Sequence, residues 1–498
     1  MKRTLYVSLS EFLHILAQFV NFVFWGAFFG ARAGMDAYLT SVALPMVLGT
    51  VTVGPLISSL VPLLVEAKEG GPPEALARFQ SNLLNIFAAG SVVLALLLMA
   101  TSEWLIALIA PGLGPERRHL ASSLLRIEAL SIPLSIASGV LTSFHYAEEK
   151  YVWPTLVPVF SASASIALLV SFHRSLGIHV LAWGMVLAAL VQVFLLLRII
   201  RGHAWEMNWR DQRIKKLARR MLPLTGGNIY YKSDSLVDRF ILSFLPVGSI
   251  SYLGYGQRVV ASLSQVLTRG LVTTRFTDLS IRNIRGREEF NEGLRRLFSQ
   301  VCFFVAPVAV LLALFTRPLL HIILERGAFT ALDVERTSAV VIAFLGLLVG
   351  GLLGSVLSGT FYAMGDTRTI AWIGVSVFTV GVALKVVGVM AFSYVGVALA
   401  TSLYFFLAVI VEMVVLQKRL RVFSWGKTGV PVAKVVFASL GAFLAGLLWR
   451  KAFSGLWALA AGGMIVLAVY AFLALLTGAV DRSVWAGFAA RFWKRRQK

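Results

Sequence analysis

The chain has 498 residues, 58% of them hydrophobic and 14% charged, with a formal net charge of +22 and a single cysteine, Cys302. One cysteine excludes an intrachain disulfide framework. The apolar residues gather in runs of about twenty, the length that crosses a bilayer core as a helix, so an integral membrane protein is expected.

In chain order the apolar runs fall near 9–29, 37–64, 80–101, 120–144, 154–172, 179–200, 221–245, 249–275, 297–316, 337–362, 370–391, 394–416, 434–452 and 455–479, about fourteen in all. In lipid each backbone polar group needs an internal partner, so these runs are expected to be helices. A β-barrel is not expected, because strict apolar/polar alternation is missing. Met1-Lys2-Arg3 before an apolar run imitates a signal peptide. The run is too long, carries Glu11 and His14, and lacks a small-residue cleavage site, so it reads as a retained first helix.

The positive charge suggests nucleic acid, but its distribution argues otherwise. With the amino terminus placed in the cytoplasm, about 31 Lys and Arg fall in inside loops, about 9 outside and about 6 within helices. The richest inside segments are Arg198–Arg220, Arg275–Arg296, Lys418–Lys434 and Arg482–Lys498. This positive-inside bias predicts cytoplasmic termini in a bacterial inner membrane and accounts for the basic clusters without nucleic acid.

The chain also repeats itself. Val140-Leu141-Thr142-Ser143-Phe144-His145-Tyr146-Ala147 returns as Val356-Leu357-Ser358-Gly359-Thr360-Phe361-Tyr362-Ala363, and Phe29-Gly30 to Tyr38 has a looser echo in Leu245-Pro246 to Tyr252. Six helices per half make the repeat parallel. The expected fold is therefore all-α: two six-helix lobes, 1–200 and 221–416, related by a pseudo-twofold. A basic cytoplasmic linker, 201–220, joins them. A loop at 417–433, two extra helices over 434–479 and a basic tail over 480–498 complete the chain.

Polar residues at membrane depth are functional candidates by default; the alternatives are a structural ion pair or a side chain snorkelling to the interface. The eighth run carries Arg258, Ser262, Gln265 and Arg269 in a narrow helical arc, a pattern suited to an anionic ligand because guanidinium forks onto phosphate. The seventh carries Asp234 and Asp238 on one face, with Lys232 and Arg239 on the roughly opposite one. The bases are expected to face a central cavity, and the acids the interior of the second lobe. Lys385 in the eleventh needs a partner if buried, and Asp234 or Asp238 is the expected one. Glu11, His14, Gln18 and Asn21 form a polar stripe on the first helix, and Glu11 beside His14 suits proton carriage. Glu128, Ser131, Ser135, Ser138 and Thr142 form a second stripe. No metal-ligand cluster, paired-carboxylate motif or glycine-rich phosphate cradle is present in the sequence, so neither a metal nor a cofactor is expected and an enzyme is not the leading reading.

Glu325-Arg326-Gly327-Ala328-Phe329-Thr330 followed by Asp333 resembles the ERGAFTxxD element of the MviN/MurJ lipid II flippase family, and Phe361-Tyr362-Ala363-Met364-Gly365-Asp366-Thr367-Arg368-Thr369 is similar to its FYAxGDTKTP. Phe29-Gly30 through Asp36-Ala37, Leu44-Pro45, Ala110-Pro111-Gly112 and Pro154 with Pro158 stand in matching order. The resemblance implies a two-lobed transporter of the multidrug/oligosaccharidyl-lipid/polysaccharide exporter superfamily. Such a protein moves a polyprenyl-diphosphate saccharide across the cytoplasmic membrane by alternating access. It further implies that Arg258 is a cavity arginine, that Asp36 is an acid at the outer end of helices one and two, and that the last two helices form a groove for the polyprenyl tail. Ile15 and Asn21 stand where the family's first helix has arginines, and Gly49, Thr50 and Gly54 replace arginines and a glutamate in the second. Lys385 occupies an asparagine position near a cation site of some members, where its ammonium would replace sodium.

The expected partners are that lipid-linked saccharide, membrane lipids and cell-envelope synthesis enzymes, with the protein a monomer. Coupling to membrane potential, protons or sodium is left open. The rivals are a drug or polysaccharide-lipid exporter of the same superfamily, a membrane-embedded glycosyltransferase or ligase, and a non-transporting scaffold.

Overall fold

The computed structural model describes residues 2–70, 72–200, 204–273, 281–282, 286–453 and 455–479. The tail 480–498, the start of the linker at 201–203, and much of the basic loop before residue 286 lie outside the described residues. Among the described residues the regular elements are all helical. The chain divides into two compact units, one comprising Met1–Gly254 with Leu324–Asp333, the other Tyr255–Ile323 with Val334–Lys498.

Unit one is built from α1 (Lys2–Phe29), α2 (Ala33–Ser41), α3 (Ala43–Glu69), α4 (Pro73–Ala100), α5 (Ser102–Ile109), α6 (Pro115–Ala129), α7 (Ser131–Ala147), α8 (Val152–Leu176), α9 (His179–Leu196), α10 (Gln212–Lys232), α11 (Asp234–Leu242) and the first turns of α12 (Ser249–Leu267). Its core joins Leu56, Leu60 and Leu64 of α3, Phe79 and Leu83 of α4, and Val140, Leu141 and Phe144 of α7. Proline opens α4 and α6, where its missing N–H leaves no helical bond unmade. The linker end is strapped to α4: Asn82 and Asn85 donate to the carbonyls of Asn208, Ala204 and Glu206 at 3.0–3.1 Å.

Unit two contains the rest of α12, then α13 (Arg287–Leu324, except its last residue), α14 (Ala331–Ala343, from Val334), α15 (Leu345–Ala363), α16 (Thr367–Leu420), α17 (Val430–Ala452) and α18 (Leu456–Thr477). Phe303, Val310 and Leu314 of α13 pack on Ala438 and Ala442 of α17 and Val466 and Tyr470 of α18. Small residues let backbones approach where lipid supplies no hydrophobic drive. A methyl on Gly346 would lie 2.6 Å from Ser402, and one on Gly350 would lie 3.2 Å from Phe405.

Among the described residues eleven helical stretches are long and apolar enough to cross a membrane, and the chain is a multi-pass membrane protein. The tally differs from about fourteen for physical reasons. Runs 370–391 and 394–416 lie in one stretch, α16, that reverses at Phe392 and Ser393, where φ/ψ leave the helical region. The two arms meet at Gly388 and Gly396, whose backbones leave no room for a methyl group. Run 221–245 is broken at Ser233, and 249–275 passes into a π-helical turn, Thr268–Thr273.

Several local geometries recur at the spacing of the sequence repeat. Gly177 has φ 54°, ψ −140°, and Ser393 has φ 56°, ψ −143°. Glu149 and Gly365 both have positive φ, at 57° and 75°. Each ends its helix identically: Glu149 N–H bonds Tyr146 O and Lys150 N–H bonds His145 O, while Gly365 N–H bonds Tyr362 O and Asp366 N–H bonds Phe361 O. That pairing satisfies terminal carbonyls by a left-handed residue.

Candidate functional site

Phe29-Gly30, Asp36, Ala110-Pro111-Gly112 and the ERGAFTxxD element gather at the end of unit one opposite the start of α1, whereas Phe361–Thr369 lies in unit two. Residue 30 lies just past α1 at φ 60°, and Gly327 sits at φ 57°. Each glycine lets backbone touch backbone: a methyl on Gly30 would lie 2.4 Å from Ala328 O, and one on Gly327 would lie 2.2 Å from Ala27 O. The Ala328 N–H donates to Ala27 O at 2.8 Å. Three residues further on, Thr330 and Asp333 form a capping box at the start of α14, with the Thr330 N–H and hydroxyl both 2.9 Å from Asp333 Oδ2. The Tyr252 hydroxyl donates to Asp333 Oδ1 at 2.9 Å. The ERGAFTxxD element is thus a clasp on the end of α1 followed by a helix cap.

Asp36 is fully buried on α2. Its carboxylate accepts from the Gly248 N–H at 2.7 Å, the Ser251 N–H at 2.9 Å and the Ser251 hydroxyl at 2.6 Å. Arg117 lies 3.8 Å away. Three donors and a guanidinium fit the ionised, acceptor-only carboxylate. The acid caps α12 from a distant part of the chain, where a helix amino terminus favours negative charge. The Ala110-Pro111-Gly112 turn rests on the same region, with Gly112 N–H donating to Ser243 Oγ at 3.0 Å and Arg118 holding Pro111 O at 2.9 Å.

The other expected residues are placed as follows. Arg258 is half-buried on α12 in unit two, and its carbonyl accepts the Ser262 hydroxyl at 2.9 Å. Gln265 is exposed, and Arg269 is exposed on the π-helical turn, past the α-helical frame that the narrow arc assumed. The four charges around residue 235 do not share one helix. The Ser233 hydroxyl bonds back to Ile229 O at 2.6 Å and α10 ends, so Lys232, which is exposed, stands outside the frame of Asp234, Asp238 and Arg239. Arg239 is buried and donates to Leu39 O at 3.1 Å, which corrects its reading as a base facing open cavity. Asp238 is buried and Asp234 half-buried. Lys385 is fully buried in unit two, its Nζ 5.6 Å from the Tyr404 ring on the opposite arm of the hairpin. The two acids belong to unit one.

On α1, Gln18 lies 2.9 Å from His14 Nε2, Glu11 and Asn21 are half-buried, and the stripe holds as a helical face. Two buried carboxylates recur with the same kind of partner. Glu128 accepts from Ser41 at 3.0 Å, and Glu412 accepts from Ser358 at 2.8 Å. Ser41 and Arg117 carried no signal in the sequence, and Ser251 and Ser358 stood out only as members of the repeat, because each meets its partner from a distant position.

Comparison with known proteins places this geometry. The family model described as lipid II flippase MurJ matches residues 26–467. A probable lipid II flippase MurJ of Vibrio cholerae is 26% identical over 490 residues, 90% of each chain. The lipid II flippase MurJ of Burkholderia cenocepacia is 26% identical over 370 residues, 71% of each chain. Among solved structures, a lipid II flippase MurJ in an inward closed conformation superposes with a TM-score of 0.82 at 23% identity, covering 95% of this chain and 98% of that one. An inward-facing multidrug resistance MATE family transporter of the MOP superfamily reaches 0.68 at 14% identity, covering 82% and 94%. The latter two likenesses establish the fold, and the match over 26–467 establishes the kinship: this chain is a member of the MurJ lipid II flippase family.

Proposed function

We propose that the protein flips lipid II, or a closely related polyprenyl-diphosphate saccharide, across the cytoplasmic membrane by alternating access, and catalyses no covalent chemistry. The observation that carries this is the family match over residues 26–467. The recurring backbone geometries at 149/365 and 177/393 support a duplicated architecture, which we read as fourteen helices with both termini cytoplasmic on the strength of the apolar runs and the positive-inside bias. In that topology the clasp and the Asp36 cap, both within unit one, lie at the outer end. A state in which they part opens that outer end, and a ligand shifts the balance only by its differential affinity for the two.

Arg258 binds the diphosphate, with Ser262, Gln265 and Arg269 as the rest of the path toward the cytoplasm. The last two helices receive the polyprenyl tail. Membrane potential, worth about 2.3 kcal/mol per charge per 100 mV, is the natural drive for an anionic cargo. Lys385 supplies a tethered positive charge inside the second unit. Its pairing with Asp234 or Asp238 belongs to this proposal, as do the monomeric state and contact with envelope enzymes.

A second reading is a polyprenyl saccharide other than lipid II. It is favoured by the neutral residues Ile15, Asn21, Gly49, Thr50 and Gly54 where the family carries charge. Flipping in proteoliposomes of lipid II beside other polyprenyl-diphosphate saccharides separates the two. Arg258→Ala is expected to abolish flipping with an unchanged melting temperature; wild-type rates in that variant would end the assignment.

A further inference from the structure

We propose that the α16 hairpin carries a binding groove for an anionic phospholipid of one leaflet, with its phosphate on Arg368 and an acyl chain along the trough between the arms. A cavity of about 550 Å³ opens there. Its floor is apolar: Ile373 and Val377 from the first arm, Leu407 and Val411 from the second. Its mouth holds Arg368 and Trp372, the latter 63% exposed.

The charge at the mouth is unbalanced. Asp366, the acid beside it, is taken up by Arg419 and by the Thr369 N–H at 3.1 Å, and Arg419 also donates to Thr369 Oγ1 at 2.9 Å. Among the described residues the exposed Arg368 guanidinium makes no hydrogen bond or ion pair. A lone guanidinium is a bidentate donor to phosphate. Trp372, one turn along, has the amphipathic ring that sits at headgroup level.

The trough decides the rest of the ligand. A sugar would need many polar partners, and this lining is mostly aliphatic. From Arg368 to Val380 the helix rises roughly 18 Å. That is close to half of the ~30 Å hydrocarbon core, so the groove suits one acyl chain of one leaflet and not a far longer polyprenyl tail. The site lies on a different hairpin from the last two helices, and it does not depend on which saccharide is flipped.

The test is native mass spectrometry of the full-length protein in neutral detergent, titrated with phosphatidylglycerol, phosphatidylcholine or undecaprenyl phosphate. Phosphatidylglycerol is expected to bind in preference to phosphatidylcholine. Arg368→Gln should weaken it about tenfold, the loss of one charge-assisted contact. Ser376→Trp, which fills the trough, should lower its occupancy as well. Melting temperatures report folding, and Arg368→Gln, at an exposed position, decides the matter if the tryptophan variant misfolds. Unchanged phosphatidylglycerol binding in a folded Arg368→Gln protein overturns the proposal. So does equal binding of phosphatidylcholine, or a preference for undecaprenyl phosphate that the same variant abolishes.

Discussion

Replacing Asp36 tests the outer-end cap directly. The carboxylate satisfies two backbone N–H groups and one hydroxyl at the start of α12, at 2.6–2.9 Å, from a fully buried position. A hydrogen bond to a charged group is worth about 1.5–3 kcal/mol, and an orphaned buried donor costs about 1–3 kcal/mol. Relief of the acid's own desolvation offsets part of this, so Asp36→Ala should weaken the cap by about 3 kcal/mol. Because 1.4 kcal/mol is a factor of ten, the Gly248 and Ser251 amides should exchange with deuterium about a hundredfold faster. Asp36→Asn keeps one acceptor oxygen and should show about a tenfold increase. Hydrogen exchange read by mass spectrometry over peptides spanning 245–256 measures this without any transport assay. Exchange in Asp36→Ala within about twofold of wild type would refute the assignment of those amides to this carboxylate.

Ser393 holds a backbone conformation that glycine occupies at the matching position 177. Ser393→Gly should therefore raise stability by about 1 kcal/mol, and Gly177→Ser should lower it similarly, both read as shifts in thermal unfolding in detergent. Gly327→Ala combines a left-handed backbone with a 2.2 Å approach to Ala27 O. The expected loss is about 3 kcal/mol, seen as a lower melting temperature, and a neutral result would mean that the clasp is not formed. Asp366 has its carboxyl lowered to about 2, first by hydrogen bonds from Thr369 and then by Arg419. A depressed acid contributes stability that is present above the ordinary aspartate value and lost as pH falls toward 2. Asp366→Asn should accordingly lower stability modestly at neutral pH and flatten the acid limb of an unfolding profile between about pH 4 and 2, the effect being small because the partly exposed carboxylate is screened by solvent.

Much of this protein was legible because its signals are local. Hydropathy marks a helix wherever it will meet lipid, since the backbone has no other way to be satisfied there. The family motifs are also local in their physics: Gly365 and Asp366 end one helix and begin the next, and Thr330 with Asp333 caps another. The polar stripe of Glu11, His14, Gln18 and Asn21 follows from helical period alone. Tertiary structure decided what depends on neighbours. The donors of Asp36 lie 212 and 215 residues away, and no pattern around Asp36 names them. The helical pattern predicts that Arg239 faces a central cavity, yet it is buried and donates to the carbonyl of Leu39, 200 residues distant. The break at Ser233 and the π-helical turn holding Arg269 changed which charges share a face, because a side-chain hydroxyl or a widened turn can override a periodic pattern. Composition thus settled that the chain is a bundle of membrane helices, since each residue's transfer free energy is its own property. Only folding settled which buried charge meets which partner, since an electrostatic contact belongs to a pair.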